Sequence, residues 1–442
     1  MIPIHITCYK NFVAERAYVV DLIFRDLLGL TALMHPTTDP SVDWILDLHT
    51  GPRIVLKDAF FKNLDEKKGL FKKSDLPDSK FDTEYFGTSK HELIGLWGDS
   101  TVREEENGMY FGNDILATGF FMLSRWEEYF RDGNLDEHDR FDENKLVAKK
   151  LGFIHRPIVN EYVEFFRDIF TRYGLVDMRK KYYRFKVTHD VDMFRRFPTK
   201  SAKFRALAGD LVKRKNFKQF YQNLMNKQDP FDTFDFLMDV SDEFNLTSEF
   251  YFIPGELDEP DVHYSIRDKE VGATIKKIMA RTHLVCYHGS YLSYDDINQQ
   301  YEEIIRLKDH INIVHVVRQH YLRLKMGVTW KIHEEMGFPC DSSLGLSSGW
   351  GFRSGLCCTY AVYDMRARRR LNLEERPITL MDSALIKTHP DPQDFIYTAK
   401  KISDVVRKYD GEFILLWHNS SFNLPEWEPF KSEYRDLIKA LR

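Results

Sequence analysis

The stretch Lys186-Val187-Thr188-His189-Asp190-Val191-Asp192 reads as a strand that ends in two carboxylates. Alternate side chains of an extended segment share a face, so Thr188, Asp190 and Asp192 point one way. His189 falls on the other face, with Phe185, Val187 and Val191. Two carboxylates at the end of a buried strand are costly unless a cation or a reaction occupies them. An exposed turn after a strand is the plainer reading of the same residues. What the later strands bring to the pair decides between the two.

From Tyr182 onward, strand and helix signals alternate. The pattern predicts strands over 185–188, 248–253, 284–287, 311–317, a short one near Asp341, and one over 413–417. Between them it predicts helices over 234–244, 272–281, 295–308, 328–336 and 402–409. Repeated strand–helix units argue for a parallel sheet or a (β/α) barrel. Residues able to hold a metal recur where these strands end: Asp190 and Asp192, then His288, His320 and His418. In α/β barrels the loops at that rim converge on one mouth, so these side chains are candidates for a shared site. One Asp and two His with an open position form a zinc-type catalytic ligand set, which acidifies water and polarises a carbonyl. A further carboxylate can then serve as base, and a further His can protonate a leaving nitrogen.

Residues 1–180 read as a smaller α+β unit and 181–442 as the α/β unit, with Gly174 and Arg179-Lys180-Lys181 marking the boundary. In the first unit the spacing predicts a helix over 15–28, stopped by Gly29. Strands over 44–48 and 53–56 flank a hairpin turn at His49-Thr50-Gly51-Pro52, and 62–84 reads as a lysine-rich surface loop. Asn113-Asp114 opens a helix expected to run through Phe130, with Arg125 and Glu128 at ion-pair spacing. A last helix is expected over 159–173.

A net charge of −5 gives no case for nucleic-acid binding. Lys10, Glu15, Arg16, Asp21, Arg25 and Asp26 interrupt the first 30 residues, so neither a signal peptide nor a membrane-spanning helix is expected. The five cysteines form no C-x-x-C pair, which points to reduced thiols, a cytoplasmic location and no cysteine metal site. The stretch 195–218 is strongly basic, with Asp210 its one acid. It reads as a solvated helix, or as a surface for weak contact with an anionic membrane or a lipid-linked sugar.

The second unit resembles the NodB-homology polysaccharide deacetylases, carbohydrate esterase family four. Thr188-His189-Asp190-Val191-Asp192 stands where that family has T-F-D-D-G, and Glu249 to Gly255 is similar to its second strand. His288-Gly289-Ser290-Tyr291 begins like its H-S/T-x-x-H motif. Phe352-Arg353-Ser354-Gly355 is similar to its arginine motif, Met381-Asp382 to its fourth, and Leu416-Trp417-His418 matches L-x-H. The likeness implies a distorted (β/α) barrel of the NodB-homology type, preceded by the smaller α+β domain. It also implies a metal-dependent hydrolase that removes acetyl groups from an N-acetylated sugar. Under it Asp190 is the base and Arg353 holds it. Asp192 and His288 bind the divalent metal, and His418, tuned by Asp382, is the acid. The first unit resembles the extra domain of a divergent bacterial branch through Leu123 to Tyr129, Arg140-Phe141 and Pro157-Ile158-Val159.

Two departures from the family shape the expectations. Val191 separates the paired aspartates, and Leu292 stands where the second metal histidine belongs. His320 is the expected replacement ligand, with His389 in reserve. Two other readings use the same residues. A D-x-D after a strand also holds a metal on the diphosphate of a nucleotide-sugar in glycosyltransferases. A barrel with a depleted metal set can instead bind glycan without catalysis.

Overall fold

The structure, a computed structural model, describes residues 3–48, 51–68, 71–175, 177–212, 220–221, 229–422 and 427–442. Its first sheet is built from β1 (Ile4–Tyr9), β2 (Ala32–Thr37), β3 (Trp44–Asp47), β4 (Arg53–Leu56), β7 (Gly98–Glu105) and β8 (Gly108–Asn113). The order is β2-β1-β3-β4-β8-β7, and β5 (Phe81–Phe86) with β6 (Lys90–Gly95) forms a separate hairpin. The predicted hairpin is the antiparallel β3–β4 pair, with Ile45 opposite Val55; its turn residues His49 and Thr50 lie outside the described residues. The stretch expected to be a surface loop holds short 3₁₀ turns and leads into β5.

Asp114 caps the helix Ile115–Ser124, accepting from the Ala117 N–H at 3.1 Å. Its other oxygen accepts from the Ala59 and Phe60 N–H groups at 2.8 and 2.9 Å, which ties the helix to the loop after β4. The helix was expected to reach Phe130 but stops at Ser124. Arg125 takes a left-handed conformation (φ 53°), and a 3₁₀ turn follows over Trp126–Tyr129. The bend lets the buried Arg125 guanidinium reach Met122 O at 3.1 Å and the carboxylates of Glu127 and Glu128, both at 2.8 Å.

The second sheet comprises β9 (Arg184–Val191), β10 (Glu249–Phe252), β11 (Leu284–Gly289), β12 (Val317–Gln319), β13 (Cys340–Asp341), β14 (Tyr360–Asp364), β15 (Arg369–Glu375), β16 (Leu380–Met381) and β17 (Glu412–Leu416). Its order is β14-β15-β13-β12-β11-β10-β9-β17-β16, parallel throughout except for β14. Among the described residues no ladder joins its two ends, so the expected barrel is not closed by strand pairing. The gap is crossed by residues 376–379, which make single bonds in both directions. Arg376 N–H donates to Asp341 O (2.8 Å), Ile378 N–H to Leu344 O (2.9 Å) and Thr379 N–H to Ile414 O (3.1 Å).

The β14–β15 hairpin, the short β16 and the helix Phe430–Leu441 were not legible from pattern, and the strand expected over 311–317 starts only at Val317. The helix expected over 402–409 begins earlier, at Pro392, where Asp391 caps it. In the basic stretch, Arg195 pairs with Glu270 at 2.5 Å and Asp232 at 3.3 Å, and a helix spans Lys200–Val212. Residues 213–218 of that stretch lie outside the described residues. Among the described residues no helix is long and apolar enough to cross a membrane.

The strand period has a direct consequence for the interior. On one face of β9, β10 and β12, polar groups stack in layers. Arg376 donates to Glu249 at 2.9 Å and Tyr251 OH donates to Glu249 at 2.8 Å. The Arg318 guanidinium lies 4.1 Å from the Tyr251 ring centroid, and above it come Asp190 and the histidines. Buried charges of this kind persist only when each is paired. Here each layer supplies the partner of the next.

Candidate active site

The ends of β9, β11 and β12 and the loop after β17 bring four side chains to one point. Asp192 Oδ1 lies 3.3 Å from His288 Nε2 and 3.6 Å from His320 Nε2, and its Oδ2 lies 3.5 Å from His418 Nε2. Burial opposes the charge on Asp192, but the imidazoles of His320, His288 and His418 outweigh it and hold its carboxyl well below the usual range. Ligand atoms of Asp192, His288 and His320 all fall within 4.8 Å of one another, which is the spacing of a cation site.

Three features of these residues fit a cation. His288 Nδ1 lies 2.8 Å from Arg318 O, so the peptide carbonyl holds the Nδ1 proton and turns Nε2 toward Asp192 as the atom a metal would take. Metal-bound histidines are oriented in this way. Asp192 Oδ1 is buried without a hydrogen-bond partner, a cost that a coordinated cation would remove. The donor set of one carboxylate and two imidazoles suits zinc. The second histidine is less constrained, because His320 Nδ1 has no hydrogen-bond partner.

Asp190 occupies a different environment from Asp192. It is 3% exposed, accepts from Arg318 Nη1 at 2.6 Å, and places its other oxygen 3.5 Å from His288 Nε2. Arg318 is itself held by Thr188 Oγ1 (3.1 Å), Ser342 O (2.9 Å) and Ser342 Oγ (3.1 Å). The arginine on Asp190 is therefore Arg318, not Arg353. Arg353 lies away from the site and forms a two-bonded pair with Glu128, at 3.0 and 2.7 Å, and a 2.9 Å bond to Gly345 O. Its place in a loop that meets the Arg125–Glu128 turn gives it a structural partner instead. Replacing Arg353 with Met is expected to lower unfolding free energy by about 3 kcal/mol, because Glu128 keeps only Arg125. Urea titration measures this, and bound metal should be unchanged.

His418 and Asp382 form the opposite wall. His418 Nδ1 lies 2.7 Å from Asp382 Oδ1, and the His418 N–H donates to Asp382 Oδ2 at 2.8 Å. Burial lowers the proton affinity of His418, but Asp382 and then Asp192 outweigh it, and the imidazole is pushed up to about 10. A raised histidine contributes stability that is complete below its unfolded value of about 6.5 and is lost as pH rises through the folded value. A cation at Asp192 would draw the imidazole back down, so the direction of change on removing Asp382 is the useful test. Asp382→Asn is expected to move the alkaline limb of kcat/KM to lower pH, read from a pH–rate profile.

Other expected residues fall elsewhere. Leu292 is 48% exposed and takes no part in the site. His389 bonds Thr388 Oγ1 at 2.8 Å, and it is His320 that completes the cluster. Asp341, at the end of the short strand expected there, is fully buried, with bonds from Trp330 Nε1 (3.0 Å) and Ser343 Oγ (2.5 Å). His189 turns away from the site to Trp417 O at 2.9 Å, and burial pushes its ring down to about 4.

Residues 4–174 match the model of a family of unknown function, DUF7033. No curated protein matches the sequence. A solved structure from Mycobacterium smegmatis, described as a "putative polysaccharide deacetylase", is similar at 17% identity. The likeness covers 59% of this chain and 84% of that one, with a TM-score of 0.39. At that level it does not bear on the chemistry of the site.

The clustered side chains open into a cavity of about 500 Å³, also lined by Tyr321, Met381 and Trp427 and, from the first unit, by Glu137, His138 and Arg140. A larger cavity of about 680 Å³, lined by His91, Arg156 and Asp168, lies away from these groups and, among the described residues, gathers no comparable ligand set. The sequence reading missed Arg318 and the contribution of the first unit. Arg318 was open to detection, because it precedes His320 by two residues and so shares its face of the strand.

Proposed function

We propose that this chain is a divalent-metal-dependent hydrolase that removes the acetyl group from an N-acetylated sugar. The observation that carries the reading is the convergence of three imidazole Nε2 atoms on Asp192, with Asp190 beside it on its own arginine. Asp192, His288 and His320 would hold the metal, which when bound supplies a Lewis acid for the acyl carbonyl and for water. Asp190 takes the proton of the attacking water, and Arg318 keeps that carboxylate aimed. His418, steadied by Asp382, gives a proton to the leaving nitrogen as the C–N bond breaks. The products are acetate and the free amine. This brings a carboxylate base and an imidazole acid to one cavity, the pair of proton-transfer groups that general acid–base catalysis uses.

The reading also divides the chain into units of residues 1–180 and 181–442. All five cysteines are free thiols, which fits a reducing compartment. A diphosphate-binding role for Asp190 and Asp192 would leave His288 and the His418–Asp382 pair without a task.

Acetate release from N-acetylglucosamine and its oligomers by zinc-loaded protein tests the proposal, with a chelated sample as control. Release that a chelator abolishes and zinc restores is the expected result. Release that survives full metal removal would sink the metal-dependent reading. No release from any N-acetylated sugar by fully loaded protein would sink the deacetylase.

A further inference from the structure

The stretch Asp136-Glu137-His138-Asp139-Arg140 belongs to the first unit, yet it lines the cavity that holds Asp190, Asp192 and the three histidines. Its shape is set internally. Asp136 Oδ1 accepts from the N–H groups of His138 (2.9 Å) and Arg140 (3.0 Å), and Oδ2 accepts from Arg140 Nε at 2.7 Å. Leu135 and Phe141 bridge its two ends, and Asp139 turns it in a left-handed conformation at φ 59°. An Asp side chain that bonds the backbone two and four residues on holds a tight loop in one form.

The loop is also fastened to the second unit. Asp139 accepts from Tyr294 OH at 2.5 Å and pairs with Arg131 at 2.9 Å. Arg140 Nη1 donates to Tyr321 O at 2.9 Å, and Tyr321 and Leu322 are themselves left-handed (φ 59° and 55°) directly after His320. Left-handed conformations at two successive residues with bulky side chains cost free energy and persist where neighbours hold them. The His138 ring lies 4.3 Å from the Tyr321 ring, which lies 4.6 Å from His320. His138 Nδ1 is 3.3 Å from Tyr291 OH. The loop is thus a fixed wall of the cavity rather than a neighbouring surface.

What this wall offers is specific. Tyr321 is 36% exposed, and the Glu137 side chain is 83% exposed, with its carboxylate 4.0 Å from His138 Nε2. Asp261 and His263 line the same cavity from the loop after β10. A partly open aromatic ring beside carboxylates and imidazoles that line the same cavity matches a sugar unit, whose apolar face stacks while its hydroxyls donate. We infer that the Asp136–Arg140 loop is a sugar-binding subsite for a unit linked to the acetylated one. The first unit therefore selects an oligosaccharide or chain over a free monosaccharide. This inference rests on the deacetylase reading for the placement of the reacting unit.

The test is calorimetric titration of zinc-loaded full-length protein carrying Asp190→Asn, which removes turnover. The probes are N-acetylglucosamine and its β-1,4 tetramer. Tetramer binding at least tenfold tighter than monomer is expected. Glu137→Ala combined with His138→Ala should abolish that preference, and His138→Phe, which keeps the ring contact with Tyr321, should restore part of it. A tetramer no tighter than the monomer, absence of binding by both, or a preference that survives in the double variant would overturn the subsite. The two readings fail separately. A loop-dependent preference in a protein that releases no acetate removes the deacetylase and keeps the subsite. Acetate release without a loop-dependent preference does the reverse.

Discussion

Replacing Asp190 with Asn is expected to cut acetate release about 10²- to 10⁴-fold while bound zinc stays at the level of the unaltered protein. The expectation comes from the unequal surroundings of two aspartates on one face of one strand. Asp192 has an imidazole Nε2 near each oxygen and a third close by, the surroundings of a ligand. Asp190 accepts from a guanidinium at 2.6 Å and lines the cavity, the surroundings of a base held in place. Asn preserves the shape and one acceptor but cannot take a proton. Measuring acetate release and zinc content on the same sample separates the roles. A parallel loss of both would make Asp190 a ligand instead.

Arg318→Met is expected to lower unfolding free energy by about 3–5 kcal/mol, the range for breaking a buried ion pair from one side. Arg318 and Asp190 are both nearly inaccessible to solvent, at 0% and 3% exposure. Met therefore leaves Asp190 as a buried carboxylate without its cation. Adding Asp190→Asn to Arg318→Met removes the stranded charge, so the double variant should be more stable than Arg318→Met alone. Urea denaturation of the four members of this cycle gives the coupling directly. Additive effects would mean that the 2.6 Å contact contributes no coupling. The Arg353→Met variant is the natural comparison, because its partner Glu128 retains a second guanidinium from Arg125.

The two-residue period made much of this site readable in the sequence. Thr188, Asp190 and Asp192 share a face because β9 is extended, and the histidines ending β11 and β12 meet Asp192 because those strands are parallel neighbours. The same rule applied to β12 pairs Arg318 with His320, yet motif likeness pointed to Arg353 instead. An arginine recruited from a different strand leaves no trace in a linear motif. The β14–β15 hairpin was hidden for another reason. Met365-Arg366-Ala367-Arg368 contains no glycine, proline or asparagine, and its turn is built by Asp364 Oδ1, which accepts from the N–H groups of Arg366 (2.8 Å) and Ala367 (3.2 Å). Arg368 then takes φ 52° without the residue type that usually announces it. The end of the helix at Ser124 was equally silent, since the left-handed Arg125 follows from partners at Glu127 and Glu128 that a helical wheel places elsewhere. Sheet closure was the expectation furthest from the outcome. The crossing segment 376–379 makes its bonds singly to two different strands, a pattern set by tertiary contact and not by local sequence.

Zinc content per chain after loading and dialysis, compared between the unaltered protein, Asp192→Ala and His288→Ala, tests the central claim most directly. The account predicts about one zinc per chain in the unaltered protein and near-complete loss in both variants, because each removes a ligand from a three-ligand site. An unaltered protein that holds no zinc, or two variants that hold as much as it does, would contradict a metal centre at Asp192, His288 and His320.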